Sequence, residues 1–220
     1  MNVTDYLVEK SGGMLNPVKE VRDDGREYKM QDDGGVELEV GEFLYGLTKL
    51  LKPQRVLTTG IYTGISDMYI AQALKENGFG NSTALEFEVS HLNRARELWK
   101  RVDVNHIIDS RLTPSLDFKS EGLYQLMFLD TEPNLRFHEL VRFFPHLDEG
   151  GYVFIHDAPR NLTQGNVNPD HPEIESWPFG NLPEEIKQWV REDKLRPIHF
   201  PNPRGLVGFY RPHKDDYQWK

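Results

Sequence analysis

Apolar residues follow a helical period in several stretches of the chain, and short apolar runs lie between those stretches. Within residues 36–51 they recur every third or fourth position, which predicts an amphipathic helix that ends before Pro53. Two further helical stripes follow Ser66 and Ser90, and serine is a common helix cap. Alternation of such helices with short strands predicts an α/β fold with a doubly wound, mostly parallel sheet and helices on both faces.

The predicted strands are short apolar segments, most of which are followed by a polar residue. Five of them end at Leu57, Phe87, Ile108, Leu129 and Ile155. After the fourth, residues 135–144 are predicted as a helix that Pro145 stops, and D-E-G-G at 148–151 is predicted as a turn. Near the C-terminus a helix opens at Pro183. Two more strands, at 196–200 and 205–210, are joined by a short turn that permits antiparallel pairing.

Two segments fall outside this alternation. Residues 1–35 are rich in Gly, Asp and Lys, and we predict an irregular N-terminal arm preceding a single domain at 36–220. Residues 158–183 have no periodicity, and a loop of that length in a compact domain is usually functional or disordered. Because this loop contains Trp177 and Phe179, we predict that it covers a substrate.

Polar residues are concentrated where the predicted strands end. In parallel α/β sheets ligands bind beyond the carboxyl ends of the strands. The residues at these ends are Gly60, Glu86, Asp109, Asp130, His156 and Asp157. Their shared location predicts one functional edge of the sheet.

The first strand, the turn between Gly60 and Gly64, and the following helix form a predicted cradle for a nucleotide-like ligand. Glycine lets backbone N–H groups approach a ligand closely, because it has no Cβ. Glu86 lies at the end of the next strand, where a carboxylate can accept hydrogen bonds from ribose hydroxyls. The turn G-I-Y-T-G lacks the G-x-G-x-x-G spacing, which disfavours a nicotinamide dinucleotide.

Composition narrows the class of protein. The chain has 220 residues, 38% of them hydrophobic and 28% charged, and a net charge of −9. That charge disfavours a nucleic-acid partner, and the absence of cysteine excludes disulfides and thiolate metal sites. We find no apolar run long enough for a signal peptide or a membrane span, so we expect a cytoplasmic protein without a membrane partner.

The motifs together resemble those of class I S-adenosylmethionine-dependent methyltransferases, closest to the metal-dependent small-molecule O-methyltransferases. V-L-T-T-G-I-Y-T-G-I-S is similar to the family's cofactor-binding turn. The segments A-L-E-F-E, I-I-D-S, L-M-F-L-D and G-G-Y-V-F-I-H-D are similar to its next four strand ends. The resemblance covers about residues 36–210 and implies a Rossmann-like, seven-stranded sheet whose last strand is antiparallel. It departs from the family at Thr58, where the family usually has Glu.

The resemblance also implies a set of contacts to S-adenosylmethionine. Glu86 would bind the ribose, Phe87 would pack on the adenine, and Asp109 and Ser110 would meet the adenine edge. The full implied set is Thr59, Gly60, Tyr62, Gly64, Ser66, Glu86, Phe87, Asp109, Ser110 and Asp130.

Asp130, His156 and Asp157 are the predicted catalytic residues. By resemblance they hold a divalent ion such as Mg²⁺ or Mn²⁺, and a histidine ligand favours Mn, Fe or Zn. Such an ion would lower the pKa of the acceptor hydroxyl. Two alternatives stay open: His156 is a metal-free general base, or it bonds Asp157 in a structural role.

The expected function is methyl transfer to a hydroxyl of a small molecule. The alternative is a non-catalytic or regulatory cofactor-binding protein on the same fold, and Thr58 motivates it. A methyltransferase acting on nucleic acid or protein is disfavoured by the acidic balance of the chain. The N-terminal arm can pair subunits into a homo-oligomer, but no pattern decides this.

Overall fold

A computed structural model describes residues 1–21, 25–31, 35–158, 182–200 and 204–215. These residues group into two compact units, Met1–Asp117 and Phe118–Lys220. The strands β3–β9 form a seven-stranded sheet in the order β5-β4-β3-β6-β7-β9-β8. The elements of that sheet and its helices are β3 (Arg55–Thr59), β4 (Asn81–Glu86), β5 (Ile108–Leu112), β6 (Tyr124–Leu129), β7 (Leu147–His156), β8 (Arg196–Phe200), β9 (Leu206–Tyr210), α2 (Leu38–Leu51), α3 (Ile65–Asn77), α4 (Val89–Arg101), α5 (Arg136–Phe143) and α6 (Glu184–Arg191).

The direction of the strands confirms the predicted Rossmann-like sheet. β3 pairs with β4, β4 with β5, and β6 with β7, all in parallel. β9, the last strand among the described residues, is antiparallel to both β7 and β8. Among the described residues, no helix is both long and apolar enough to cross a bilayer.

The expectation of an irregular N-terminal arm is wrong for its described residues. They contain the helix α1 (Val3–Lys10) and an antiparallel hairpin of β1 (Pro17–Val21) and β2 (Glu27–Gln31). Leu7 of α1 is fully buried, and the Thr4 hydroxyl bonds both Glu42 of α2 and Tyr69 of α3. Only a few apolar residues contribute to this packing. Because Gly, Asp and Lys residues surround them, the sequence shows no periodic pattern that predicts the helix or the hairpin.

The three helices predicted in the first unit are present, but two of their caps were wrong. Gly64, with a φ of +76°, is the N-cap of α3, and Ser66 lies inside the helix. Glu88 is the N-cap of α4, where its side chain accepts the Ser90 backbone N–H. In both cases the N-cap lies two positions before the serine that the sequence predicted as the cap.

The second unit is built around β6 and β7. All of β6 except Gln125 is buried, as its apolar sequence predicts. The predicted turn at 148–151 is wrong, because these residues belong to β7. The pairing of β6 with β7 shifts register between Tyr124 and Leu126, an irregularity of the β-bulge type. Of the predicted substrate loop, only Ala158, Leu182 and Pro183 lie within the described residues.

Candidate functional site

The glycine turn after β3 is tied directly to the end of β4 by the carboxylate of Glu86. One of its oxygens accepts the Tyr62 backbone N–H at 2.9 Å, and the other accepts the N–H groups of Phe87 and Glu88, each at 2.9 Å. The Gly60 N–H donates to the Leu85 carbonyl at 3.0 Å. The structure therefore brings Glu86 to the turn, as predicted. The carboxylate is oriented by three backbone donors, and only 4% of the residue is exposed.

Gly64 is required by helix packing. A Cβ at this position would lie 2.7 Å from the Ala95 Cβ and 2.7 Å from the Trp99 Nε1, both on α4. The Trp99 indole also donates to the Gly64 carbonyl at 2.7 Å. The second glycine of the cradle thus lets α4 approach the start of α3, whatever ligand the turn holds.

Thr58, the departure from the resembled pattern, has a carboxylate partner. Its hydroxyl donates at 2.5 Å to Asp67 in the first turn of α3. Thr58, Thr59 and Asp67 are all buried, Asp67 completely. A carboxylate is favoured near a helix N-terminus, because the first turn has unpaired N–H groups. A carboxylate that the strand lacks at position 58 is thus present beside it, on the helix.

Two aromatic side chains lie at the open end of this cradle. Phe87 is 65% exposed directly after β4, and Tyr62 in the turn is partly exposed. The Tyr62 ring makes an edge-to-face contact with His91 at 4.8 Å between centroids. Tyr62 also has a positive φ of 47°, an unusual conformation for a non-glycine residue. An exposed aromatic ring beside a cradle is suited to stacking on a planar ligand.

The predicted location of Asp109 and Ser110 at a strand end is wrong. β5 begins at Ile108 and continues to Leu112, so both residues lie inside the strand. Asp109 pairs in register with Thr83, three residues before Glu86, which is about 10 Å short of the carboxyl edge. Thr113 lies at that edge instead, and its N–H donates to the Glu86 carbonyl at 2.7 Å. The polar sequence of β5 lacks the apolar pattern that would have located the strand.

In the second unit, Asp130, His156 and Asp157 come together as predicted. Each offers one potential ligand atom, and these atoms lie within 4.8 Å of one another. The His156 Nδ1 is 3.1 Å from an Asp130 oxygen and 3.6 Å from an Asp157 oxygen. His156 is completely buried, whereas the two carboxylates are partly exposed. Asp130 and Asp157 are therefore the members of this cluster that a ligand reaches first.

Two arginines that the sequence analysis missed bind the same carboxylates. The Arg136 guanidinium lies 3.1 Å from Asp130 and 3.3 Å from Asp157. Arg204 binds both oxygens of Asp157, each at 2.6 Å. Arg136 follows Asp130 closely in the chain, but Arg204 is 47 positions from Asp157, and no local pattern marks either one.

Arg136 is the more deeply fixed of the two arginines. It opens α5, and its side chain is 6% exposed. It also donates to the carbonyls of Thr131, at 2.6 Å, and His156, at 2.5 Å. One guanidinium thus joins the ends of β6 and β7 through both side chains and backbone.

Charge in this cluster is balanced by its own residues. Two carboxylates face two guanidinium groups, and the formal charges of these four side chains cancel. Burial favours the protonated form of Asp157, but His156, Arg204 and Arg136 together lower its pKa below the ordinary value. The donor set of Asp130, His156 and Asp157 matches a divalent ion in ligand type. It does not match in charge, because both carboxylates are already paired with guanidinium groups. The residues present do not fit a divalent ion.

Comparison with known proteins shows what the chain is similar to. A family model described as O-methyltransferase matches residues 11–187. Caffeoyl-CoA O-methyltransferase of Medicago sativa is 29% identical over 144 residues, which are 60% of this chain and 56% of that protein.

Solved structures show the same fold. The SAH-bound methyltransferase PaMTH1 of Podospora anserina aligns with a TM-score of 0.70 and 17% identity, covering 95% of this chain and 88% of that one. The O-methyltransferase TomG of Streptomyces achromogenes, solved in complex with SAM, aligns with a TM-score of 0.64 and 18% identity, covering 83% of this chain and 84% of that one.

Proposed function

Because the chain belongs to the O-methyltransferase family, we propose that it transfers a methyl group from S-adenosylmethionine to a hydroxyl of a small molecule. The observation that carries the cofactor assignment is the attachment of the glycine turn to Glu86. Three backbone N–H groups hold this carboxylate where β3 and β4 end. Proteins of similar fold have been solved with SAH or SAM bound.

The cofactor assignment rests on residues of the first unit. The carboxylate of Glu86 has about four lone-pair sites. Three of them accept backbone N–H groups, so one is left for a ribose hydroxyl. Exposed Phe87 covers the adenine face, and the N–H groups of the turn that starts at Gly60 approach the methionine end. Asp109 and Ser110 do not enter this proposed pocket, because β5 carries them away from the edge.

The acceptor assignment rests on the second unit. Asp130 and Asp157 are exposed enough to meet a hydroxyl, whereas His156 is not. We assign Asp130 to receive the hydroxyl proton and His156 to hold Asp130 in place through the 3.1 Å contact. Methyl transfer is an in-line displacement, in which the acceptor oxygen forms a bond to the methyl carbon as the bond to sulfur breaks. Positioning therefore supplies much of the rate enhancement.

A second candidate function is a cofactor-binding protein without turnover. Thr58 favours it, since this strand position lacks the acid that the family usually has. The buried Asp67 beside Thr58 keeps a carboxylate in that region, and this supports the catalytic proposal over the alternative. A small-molecule acceptor also agrees better than nucleic acid with the net charge of −9. The cytoplasmic location and the homo-oligomer stay predictions.

Calorimetric titration with S-adenosylmethionine and with its demethylated product tests the cofactor site. We expect binding by the unaltered protein and a loss of about 100-fold or more in Glu86→Ala. The variant loses a charged hydrogen bond to the ribose and the carboxylate that holds the glycine turn. Glu88→Ala is the matched control, because the partly exposed Glu88 side chain caps α4, and the variant keeps the backbone N–H that donates to Glu86. Absence of binding by the unaltered protein would sink the proposal.

Turnover is tested separately with a panel of phenols, sugars and hydroxylated metabolites, using mass detection of methylated product. Product with any acceptor excludes the non-catalytic alternative. Cofactor binding without product across the panel favours that alternative instead.

A further inference from the structure

Two arginines contact the paired carboxylates of the acid–histidine cluster. Arg136 bridges one oxygen of Asp130 and one of Asp157, and Arg204 takes both oxygens of Asp157. Planar guanidinium groups match carboxylates in this way and carry a permanent positive charge. Each carboxylate is thus paired with at least one cation that belongs to the chain itself.

A divalent ion would have to compete with this arrangement. An ion bound by Asp130, His156 and Asp157 would lie within a few ångströms of both guanidinium groups, and like charges at that distance repel strongly. Displacing Arg136 would also leave a buried guanidinium without its carboxylate partners, which is costly. Both effects act against ion binding.

We infer that Arg136 and Arg204 are built-in cations, which fill with their own charge the place that the cluster would otherwise offer a metal ion. The inference rests on the proposed function for its chemical consequence, which is methyl transfer that needs no divalent ion. A metal-assisted site favours acceptors with two adjacent oxygens, because such acceptors chelate the ion. Without the ion, an acceptor with a single hydroxyl is as suitable as a vicinal diol.

Titration with Mn²⁺, followed by electron paramagnetic resonance of the free ion, tests the inference without any activity. We expect the unaltered protein to bind Mn²⁺ more weakly than about 1 mM, the range of poor oxygen-ligand sites. Arg204→Met should tighten binding about tenfold or more, because it removes one positive charge and the guanidinium contact to the Oδ1 atom of Asp157. The control is Arg191→Met, which removes an exposed arginine paired with Glu184 in the same unit.

The double variant Arg204→Met/Asp157→Asn should lose the Mn²⁺ affinity that Arg204→Met gains. That loss would locate the ion at Asp157. Three results would overturn the inference: tight stoichiometric binding of Mn²⁺ by the unaltered protein, no tightening in Arg204→Met, or equal tightening in Arg191→Met.

A measurement on the unaltered protein covers the case in which Arg204→Met does not fold. The unfolding temperature should be the same in EDTA and in 1 mM Mn²⁺, because an ion that does not bind the folded state cannot stabilise it. A rise of several degrees with Mn²⁺ contradicts the inference. Cofactor titration in EDTA separates the two proposals: its failure refutes the proposed function, while the Mn²⁺ result still decides the role of the arginines.

Discussion

Replacing Gly64 by alanine separates a packing role from a ligand role at the cradle. The new Cβ would lie 2.7 Å from two atoms of α4, closer than real Cβ contacts allow. Overpacking of this kind costs about 1–3 kcal/mol. The φ of +76° adds the left-handed strain of an L-residue, about 1–2 kcal/mol. We therefore expect Gly64→Ala to lower the free energy of unfolding by about 2–5 kcal/mol in total.

Gly78→Ala is the matched control for this experiment. Gly78 ends α3 with a φ of +79°, but an added Cβ there would meet nothing within 4 Å. Gly78→Ala introduces the backbone strain without the steric clash. It should therefore lower the free energy of unfolding by about 1–3 kcal/mol less than Gly64→Ala does. Urea unfolding of both variants measures the difference, provided that the slopes agree. Equal losses would refute the packing argument. A large loss of affinity for the demethylated cofactor without the extra instability would indicate a ligand role.

The remaining predictions concern the cradle and the cluster. Thr58→Val should lower the free energy of unfolding by about 1–3 kcal/mol, because Asp67 loses a buried hydrogen-bond donor. Thr58→Ser keeps the hydroxyl and should retain most of the stability. Urea unfolding of both variants measures the difference. Phe87→Ala should weaken binding of the demethylated cofactor about tenfold with little change in stability, since Phe87 is exposed, and Asp109→Asn should leave calorimetric affinity unchanged. The lowered pKa of Asp157 means that the unfolded state takes up its proton first as pH falls. The stability from Asp157 should thus be fully present above about pH 4 and decline below it, and Asp157→Asn should flatten that part of the unfolding curve.

The strands and helices with strong periodicity were predictable because their burial is a local property of the sequence. β6 is apolar throughout and is buried, and α2 and α4 have one apolar face each. β5 was misplaced because its residues after Ile108 are polar or exposed, so no alternation marks it. The arm escaped prediction for a related reason, since its few buried residues, such as Leu7 and Met30, are scattered among polar ones.

For the candidate site, the sequence located the residues that directly follow buried strands. Glu86, Asp130, His156 and Asp157 all end or follow strands whose positions the apolar pattern defines. Their partners were not predictable, because a salt bridge is chosen by proximity in space. Arg204 reaches Asp157 across 47 positions of chain.

By itself, the sequence determined the alternating fold, the glycine turn and the location of Glu86, Asp130 and Asp157 at strand ends, because each follows from local periodicity and residue type. The tertiary structure alone decided that α4 packs against Gly64, that Asp67 bonds Thr58, and that Arg136 binds Asp130. These contacts depend on which distant segments the folded backbone brings within bonding distance. These contacts change the chemical interpretation of the cluster. Asp130, His156 and Asp157 by themselves are suited to a metal ion, but Arg136 and Arg204 neutralise the charge of the two carboxylates.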